Sequence, residues 1–189
     1  MHARRLVLLA AAPLLLTGCG YNSIQKLDES AEQAKKQISV QLQRRADLIP
    51  NLVGVVKGFA KQELDVFTSV TQARAGMTKA VESGDLKQMA AANNEVSGAL
   101  GRLMVTVEAY PQLKSDQGFL RLQDELAGTE NRVAVARTDY NGAVLKYNAY
   151  IRQFPQVLTA KATSAKAREY FELQTAGAAV VPTVDFNKK

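Results

Sequence analysis

The sequence predicts an all-α protein, an elongated up-down-up-down four-helix bundle with left-handed coiled-coil-like packing. Alanine, leucine, lysine, glutamine and glutamate are plentiful, and aromatic residues make up only 6% of the 189 residues. This composition favours helix. Apolar residues recur in alternating steps of three and four, and this mean spacing of about 3.5 residues implies a left-handed supercoil. No segment sustains the strict alternation of apolar and polar residues that strands would require.

Four segments carry this stepping and predict the four helices. The first runs from Ile24 to Leu48 and turns polar at Arg45. The second runs from Leu52 to Ala80, and the third from Met89 to Tyr110. The fourth, Phe119 to Phe154, is apolar or aromatic at all but one of its stripe positions.

Local signals predict where these helices begin and end. Pro50 disfavours helical geometry in the residue before it, so the chain is expected to break or kink there. An alternative joins the first two segments through a kink at Pro50, which gives three longer rods. Ser83 or Asp85 is expected to cap the third helix, and Ser115 or Asp116 the fourth.

Two further prolines and the C-terminal composition complete the predicted organisation. Tyr110-Pro111 ends the third helix, and Phe154-Pro155 ends the fourth. A shorter amphipathic segment, about Thr163 to Leu173, follows, and Gly177 to Lys189 is expected to be an extended tail. The predicted regions are a lipoprotein signal peptide (1–18), the helical bundle core (19–155), and a short helix with an extended C-terminal tail (156–189).

The first 18 residues contain the parts of a secretory signal. Arg4 and Arg5 precede an apolar run, Leu6 to Leu16, and the run Leu15-Leu16-Thr17-Gly18-Cys19 ends in the single cysteine of the chain. The apolar run is shorter than the roughly 20 residues that a membrane-spanning helix needs. We therefore expect cleavage before Cys19 and lipidation of its thiol by a diacylglyceryl group with acyl chains such as palmitate, which would anchor the chain stably.

This leader predicts a bacterial cell-envelope location, as a membrane-anchored lipoprotein facing the periplasm or the outside. An aspartate after the cysteine often signals retention in the inner membrane, and this chain has Gly20 there. The outer membrane is therefore favoured where one is present. The alternative is ordinary secretion in which Cys19 has no role.

Removal of the leader restricts the catalytic and metal-binding chemistry that is open to the chain. His2 is the only histidine, and the remaining chain has 22 basic and 18 acidic residues, a net charge of +4. Without histidine, Ser-His-Asp and Cys-His catalysis, zinc sites of the His/Cys type and di-iron bundles are excluded. We expect no enzyme activity, cofactor or metal, with a carboxylate-based hydrolase as a weaker alternative. The basic residues are interleaved with acidic ones, which favours weak attraction to an anionic envelope surface over nucleic acid.

The densest polar cluster near a core stripe surrounds Pro50. It consists of Arg44, Arg45, Asp47 and Asn51, and Arg45 falls on a core position. A functional interpretation is a small anion or carbohydrate site at a kink. The structural interpretation, which we favour, is a buried arginine–carboxylate network that fixes the register of adjacent helices.

Two Tyr-Asn pairs and several charged residues lie along the later helices. Tyr140-Asn141 and Tyr147-Asn148 are seven residues apart and share a helical face, so they offer a surface for a sugar or a peptide. We favour core tyrosines whose hydroxyls reach polar partners. Solvated faces and inter-helix ion pairs are the interpretation that we favour for the remaining charges, at Glu108, Glu125, Glu130 and Arg137.

Several motifs together resemble those of a known family. They are Tyr21-Asn22, Arg44-Arg45, Asp47 to Val53, Glu108-Ala109-Tyr110-Pro111, Thr129-Glu130-Asn131-Arg132, Tyr140-Asn141, Tyr147-Asn148 and Phe154-Pro155. In these motifs the chain resembles the LemA family. The resemblance implies a long helical bundle at the bacterial envelope and supplies no activity. Members are often found beside membrane metalloproteases, which implies a scaffold or adaptor. Many members carry an uncleaved transmembrane helix in place of a lipoprotein-type leader.

These observations predict a lipid-anchored, non-enzymatic envelope protein that binds membrane or envelope proteins, with a membrane metalloprotease as one candidate partner. The alternative is a binding module for a cell-wall glycan or lipid head group, centred on Arg44, Arg45, Asp47 and Asn51.

Overall fold

A computed structural model describes the backbone of residues 2–172 and the side chains of residues 20–172. This part of the chain is helical and contains no strand, so the all-α prediction is confirmed. Residues 173–189, with the predicted tail, lie outside the described part. The helices are α1 (His2–Phe59), α2 (Leu64–Ser83), α3 (Leu86–Val107), α4 (Pro111–Lys114), α5 (Gln117–Tyr150) and α6 (Gln156–Ala162).

The longest helices, α1 and α5, pack against each other along their length. Helices α2 and α3 form a hairpin that packs mainly on α1, and α6 packs on residues 20–24 of α1. The predicted stripes supply most of the core, while the up-down-up-down four-helix bundle and its left-handed supercoil stay predictions. Stripe residues that are buried include Ile24, Ile38, Leu52, Val56, Val70, Met77, Met89, Val96, Leu103, Phe119, Leu126, Val133 and Tyr140.

The predicted break at Pro50 is wrong, because α1 continues through it to Phe59. A proline inside a helix lacks the N–H that would bond to the carbonyl four residues earlier, here that of Ala46. In this protein Arg74 Nε of α2 donates to the Ala46 oxygen at 3.0 Å. A donor from a neighbouring helix thus replaces the missing backbone hydrogen bond, and the Pro50 side chain is exposed to solvent.

The chain turns instead at residues 60–63, which contain no proline or glycine. The predicted second segment is therefore divided, with its first part ending α1 and the rest forming α2. Ala60 is buried, and Glu63 accepts a hydrogen bond from the Tyr110 hydroxyl at 3.1 Å. Tertiary contacts determine this turn, because no local signal marks it.

Two of the predicted caps are confirmed. Asp85 accepts from the backbone N–H of Gln88 at 2.8 Å at the start of α3, and Asp116 accepts from that of Phe119 at 2.8 Å at the start of α5. Gly84, which ends α2, has φ of 65°, a left-handed conformation that glycine adopts without steric cost.

The other helix ends differ from the predictions. Helix α3 ends at Val107, before Tyr110-Pro111, and α5 ends at Tyr150, before Phe154-Pro155. The predicted amphipathic helix at Thr163–Leu173 is wrong as far as it is described, because α6 lies earlier and residues 165–172 are not helical. Within the described part of the chain, no helix is both long and apolar enough to cross a bilayer.

We expect Arg74→Met to lower the free energy of unfolding by about 1–3 kcal/mol, because it leaves the buried Ala46 carbonyl without a donor. In a Pro50→Ala background the residue at position 50 regains its N–H, so Arg74→Met costs less there. Urea unfolding of the four chains measures this coupling. Arg102→Met is the matched control, since Arg102 donates to Ser69 on the exposed surface. An equal cost of Arg74→Met in both backgrounds contradicts the explanation.

Candidate functional site

Arg45 lies in the core between three helices, and its side chain is only 5% exposed. Its guanidinium donates to Asn93 Oδ1 at 2.6 Å and Ser97 Oγ at 3.1 Å, both on α3. It also forms an ion pair with the Glu130 carboxylate of α5. Burial lowers the pKa of the Arg45 guanidinium, and Glu130 acts in the opposite direction. We call these contacts the Arg45 network. They agree with the structural interpretation, because one buried guanidinium on α1 binds α3 and α5 at the same position along the helix axes.

The other predicted residues of the cluster do not converge with Arg45. Arg44 points to the surface and pairs with Glu125 at 3.3 Å. Asp47 is exposed and accepts from Gln43 at 2.8 Å, and Asn51 is exposed. Neighbouring residues on a helix are about 100° apart, so Arg44 and Arg45 face different directions. The structure forms no single cleft from these residues, and their role as ligand contacts stays a prediction.

A second polar system joins α5 to residues 165–172, an extended segment that we call the strap. Asn148 exchanges two hydrogen bonds with the backbone of Arg168, each of 2.9 Å. Asn141 does the same with the backbone of Phe171, at 3.1 and 2.8 Å. Seven helical residues rise roughly 10.5 Å, and three extended residues span roughly 10 Å. The two asparagines therefore match the strap in length and bind its backbone as a ladder.

The Arg168 side chain anchors the strap to α1. It contacts both Asp28 oxygens at 2.7 and 3.0 Å and Glu32 at 2.9 Å. Such bidentate, charge-assisted hydrogen bonds are among the strongest that proteins form. The hydrogen bond from Arg168 holds the pKa of Asp28 below its ordinary value, against the opposing effect of burial.

Three further contacts hold the strap. Phe171 is buried in the main core, the Tyr140 hydroxyl donates to the Glu169 carbonyl at 2.8 Å, and Lys87 of α3 pairs with Glu169 at 3.3 Å. Burial raises the pKa of both Tyr140 and Tyr147. The prediction of core tyrosines with polar partners is confirmed, and the adjacent asparagines bind a peptide segment of the same chain. The seven-residue repeat was the available signal for this role.

The remaining predicted charged residues lie near the surface. Glu125 and Glu130 form the expected inter-helix ion pairs, and Glu108 pairs with Lys114 at 2.6 Å. Arg137 is partly exposed. Among residues 20–172, no group of three histidine, cysteine, aspartate or glutamate side chains is arranged to hold a metal ion.

An open groove of about 760 Å³ runs between α1 and α5. Within the described residues, the Gln41 Oε1 atom is buried and has no hydrogen-bond partner. A Cβ added at Gly142 would meet nothing within 4 Å, so this part of the groove is open. This α1–α5 groove combines amides, hydroxyls, charges and short apolar side chains, and its lining includes Leu27, Ser30, Ala34, Gln37, Gln41, Arg132, Val135, Thr138, Asp139, Gly142 and Lys146.

These features define an all-α protein in which a long helix pair is held by two arginine networks and leaves one face open as a groove. The model of the LemA family matches residues 34–186, and the chain belongs to the LemA family.

Magnetosome proteins are similar to the chain. MamQ 1 and MamQ 2 of Paramagnetospirillum magneticum are each 28% identical to it over 180 residues, which cover 83% of the chain and 66% of each relative. MamQ of Magnetospirillum gryphiswaldense is 27% identical with the same coverage. The chain thus spans just under two thirds of the length of these relatives.

We expect Arg45→Met to reduce the free energy of unfolding by about 1–3 kcal/mol, because it leaves buried acceptors without a donor. Arg44→Met removes an exposed ion pair of the same type, and we expect a change of at most about 0.5 kcal/mol. Urea unfolding at neutral pH measures both. Similar small losses for the two variants would show that the Arg45 network does not hold the helices.

The strap should be released by acid. Because the pKa of Asp28 is lowered in the folded state, its stabilising effect is present above the ordinary value of 3.8 and is lost as the pH falls through the lowered pKa. We expect the protection factors of the backbone N–H groups of Arg168 and Phe171, which are corrected for the intrinsic pH dependence of exchange, to fall over that interval. Asp28→Asn should abolish this fall, whereas the exposed Asp65→Asn controls for the loss of one negative charge. Protection factors that stay constant over the interval in the parent chain contradict the assignment.

Proposed function

We propose that the chain is a lipid-anchored, non-enzymatic envelope protein of the LemA type that holds a protein partner in the α1–α5 groove. The observation that carries the proposal is the open groove between α1 and α5. Arg45 and the strap residue Arg168 form ion pairs within the chain. The side chains that line the groove take no part in these ion pairs.

The chemistry of the groove is that of a protein-binding surface. Its apolar lining includes Val135, which is 61% exposed, and its polar lining includes the exposed side chains of Ser30, Gln37 and Asp139. A protein partner that brings both apolar side chains and hydrogen-bonding groups to this surface complements both kinds of lining.

The leader and the relatives support the rest of the proposal. The sequence ending at Cys19 supports a lipid anchor in the bacterial envelope, facing the periplasm or the outside, with the outer membrane favoured where one is present. The relatives are named magnetosome proteins, and these names state no reaction. A membrane metalloprotease is the partner class that the family resemblance implies.

A glycan or lipid head group at Arg44, Arg45, Asp47 and Asn51 is the weaker alternative. Arg45 is buried, and Arg44 is paired with Glu125. A ligand there would have to displace existing ion pairs, whereas a partner in the groove displaces none of them.

We expect Gly142→Arg to abolish partner binding without lowering the melting temperature, because a side chain at this position enters open groove space. Gly98→Arg is the matched control, since an added Cβ there also meets nothing within 4 Å, and Gly98 does not line the groove. Capture from solubilised membranes, followed by quantitative mass spectrometry, compares the parent and both variants.

A partner that is recovered equally with Gly142→Arg contradicts the assignment to the groove. The mass of the N-terminal peptide from the same purified chain tests the anchor separately. A peptide that begins at Met1 without fatty acids contradicts it.

A further inference from the structure

Residues 20–24 of α1 pack with the end of α5 and with α6, and they become the end of the molecule when the leader is cleaved before Cys19. Gly20 packs tightly on α6, because a Cβ built there would lie 3.3 Å from Gln156 Cγ and 3.6 Å from Thr159 Oγ1. Ile24, Ile151 and Ala160 form a small buried cluster here. The residue that directly follows Cys19 is thus fixed against α6.

Large apolar side chains at this end are exposed to solvent. Phe154 is 81% exposed, Leu158 is 58% exposed and Tyr21 is 45% exposed. Thr159 and Ala160 form the buried side of α6, so Leu158 projects from its outer side. Exposed apolar residues that cluster in this way mark surfaces that bind a membrane or another protein.

The charge of the same segment has one sign. From Ile151 to Ala167 the sequence contains Arg152, Lys161 and Lys166 and no aspartate or glutamate. All three basic side chains are exposed. Arg168, the next basic residue, differs because Asp28 and Glu32 bind it. An apolar loop and helix flanked by unpaired cations complement an anionic lipid surface.

We propose that this membrane-facing end, defined by Tyr21, Arg152, Phe154, Leu158, Lys161 and Lys166, lies on the surface of an anionic bilayer. Phe154 and Leu158 enter the boundary between head groups and acyl chains, and the three cations contact lipid phosphates. The inference rests on the proposed function for the lipid on Cys19. The lipid keeps the chain at the membrane, and this surface sets its orientation.

This orientation of the chain on the bilayer determines where the α1–α5 groove lies relative to the membrane. Residues 20 and 59 of α1 are separated by roughly 58 Å at 1.5 Å per residue. With the membrane-facing end on the bilayer, the helix pair extends away from it, and the α1–α5 groove opens to the side, where a partner can reach it.

The chain contains no tryptophan, so a single substitution supplies a unique fluorescent reporter. We would compare Phe154→Trp with Phe59→Trp, an exposed phenylalanine at the opposite end of α1. Each chain is purified from membranes and reconstituted into vesicles of phosphatidylethanolamine and phosphatidylglycerol that contain brominated lipid. We expect a blue-shifted emission that the bromine quenches for Phe154→Trp and an unquenched emission for Phe59→Trp.

A second arm tests the charges. Neutralising Arg152, Lys161 and Lys166 to glutamine in the Phe154→Trp chain should reduce the quenching, and high salt should reduce it in the parent Phe154→Trp chain. Glutamine at the exposed basic residues Lys57, Lys114 and Arg121, away from this end, is the matched control and should leave the quenching unchanged.

The mass of the N-terminal peptide separates this inference from the lipid anchor. Quenching of Phe154→Trp in a chain without fatty acids supports the surface and contradicts the anchor. An acylated chain in which Phe154→Trp is unquenched overturns the surface and leaves the anchor in place. Equal quenching of Phe154→Trp and Phe59→Trp also overturns the inference.

Discussion

The buried charge of Arg45 is the constraint on which the arrangement of the helices depends. A guanidinium stays protonated in a protein interior, so it must find hydrogen-bond acceptors or be expelled to water. Asn93 and Ser97 of α3 and Glu130 of α5 supply them at one level of the helix pair. The apolar stripes bury surface in many registers, whereas the contacts of the two terminal guanidinium nitrogens form in one, a role well attested for buried polar residues in helical assemblies.

A second arginine performs the same task about four turns earlier along α1, with the roles of the helices exchanged. There α1 contributes the acceptors, Asp28 and Glu32, and the cation comes from Arg168 in the strap. The asparagine ladder of α5 then holds the strap backbone. Helices α1 and α5 are thus linked twice, through partners from α3 and from the C-terminal segment. The residues of both links are absent from the lining of the α1–α5 groove, which has no internal occupant among the described residues.

The sequence predicts the features that depend on one helix and its caps. It does not predict the features that depend on contacts with residues far away in the chain. The stripes gave the core, and Asp85 and Asp116 were recognisable as caps because capping is local. The break predicted at Pro50 is absent because Arg74, 24 residues later, donates to the Ala46 carbonyl that Pro50 leaves without a backbone donor. The sequence of the strap has no periodicity. Only the asparagines of α5 that bind the strap recur at a regular spacing in the sequence. That pattern indicated a peptide surface without indicating that the peptide belongs to the same chain.

The predicted polar cluster shows why nearness in sequence is a poor guide to a site on a helix. Arg44 and Arg45 are adjacent, yet one is exposed and the other is buried. The stripe position of Arg45 already indicated its direction, and the structural interpretation followed from it. The α1–α5 groove could not be predicted in this way, since it requires the separation of two helices whose facing residues are about 100 positions apart. The buried Arg45 and the half-buried Arg168 are engaged within the chain. For that reason the open surfaces, the groove and the membrane-facing end, carry the function proposed for it.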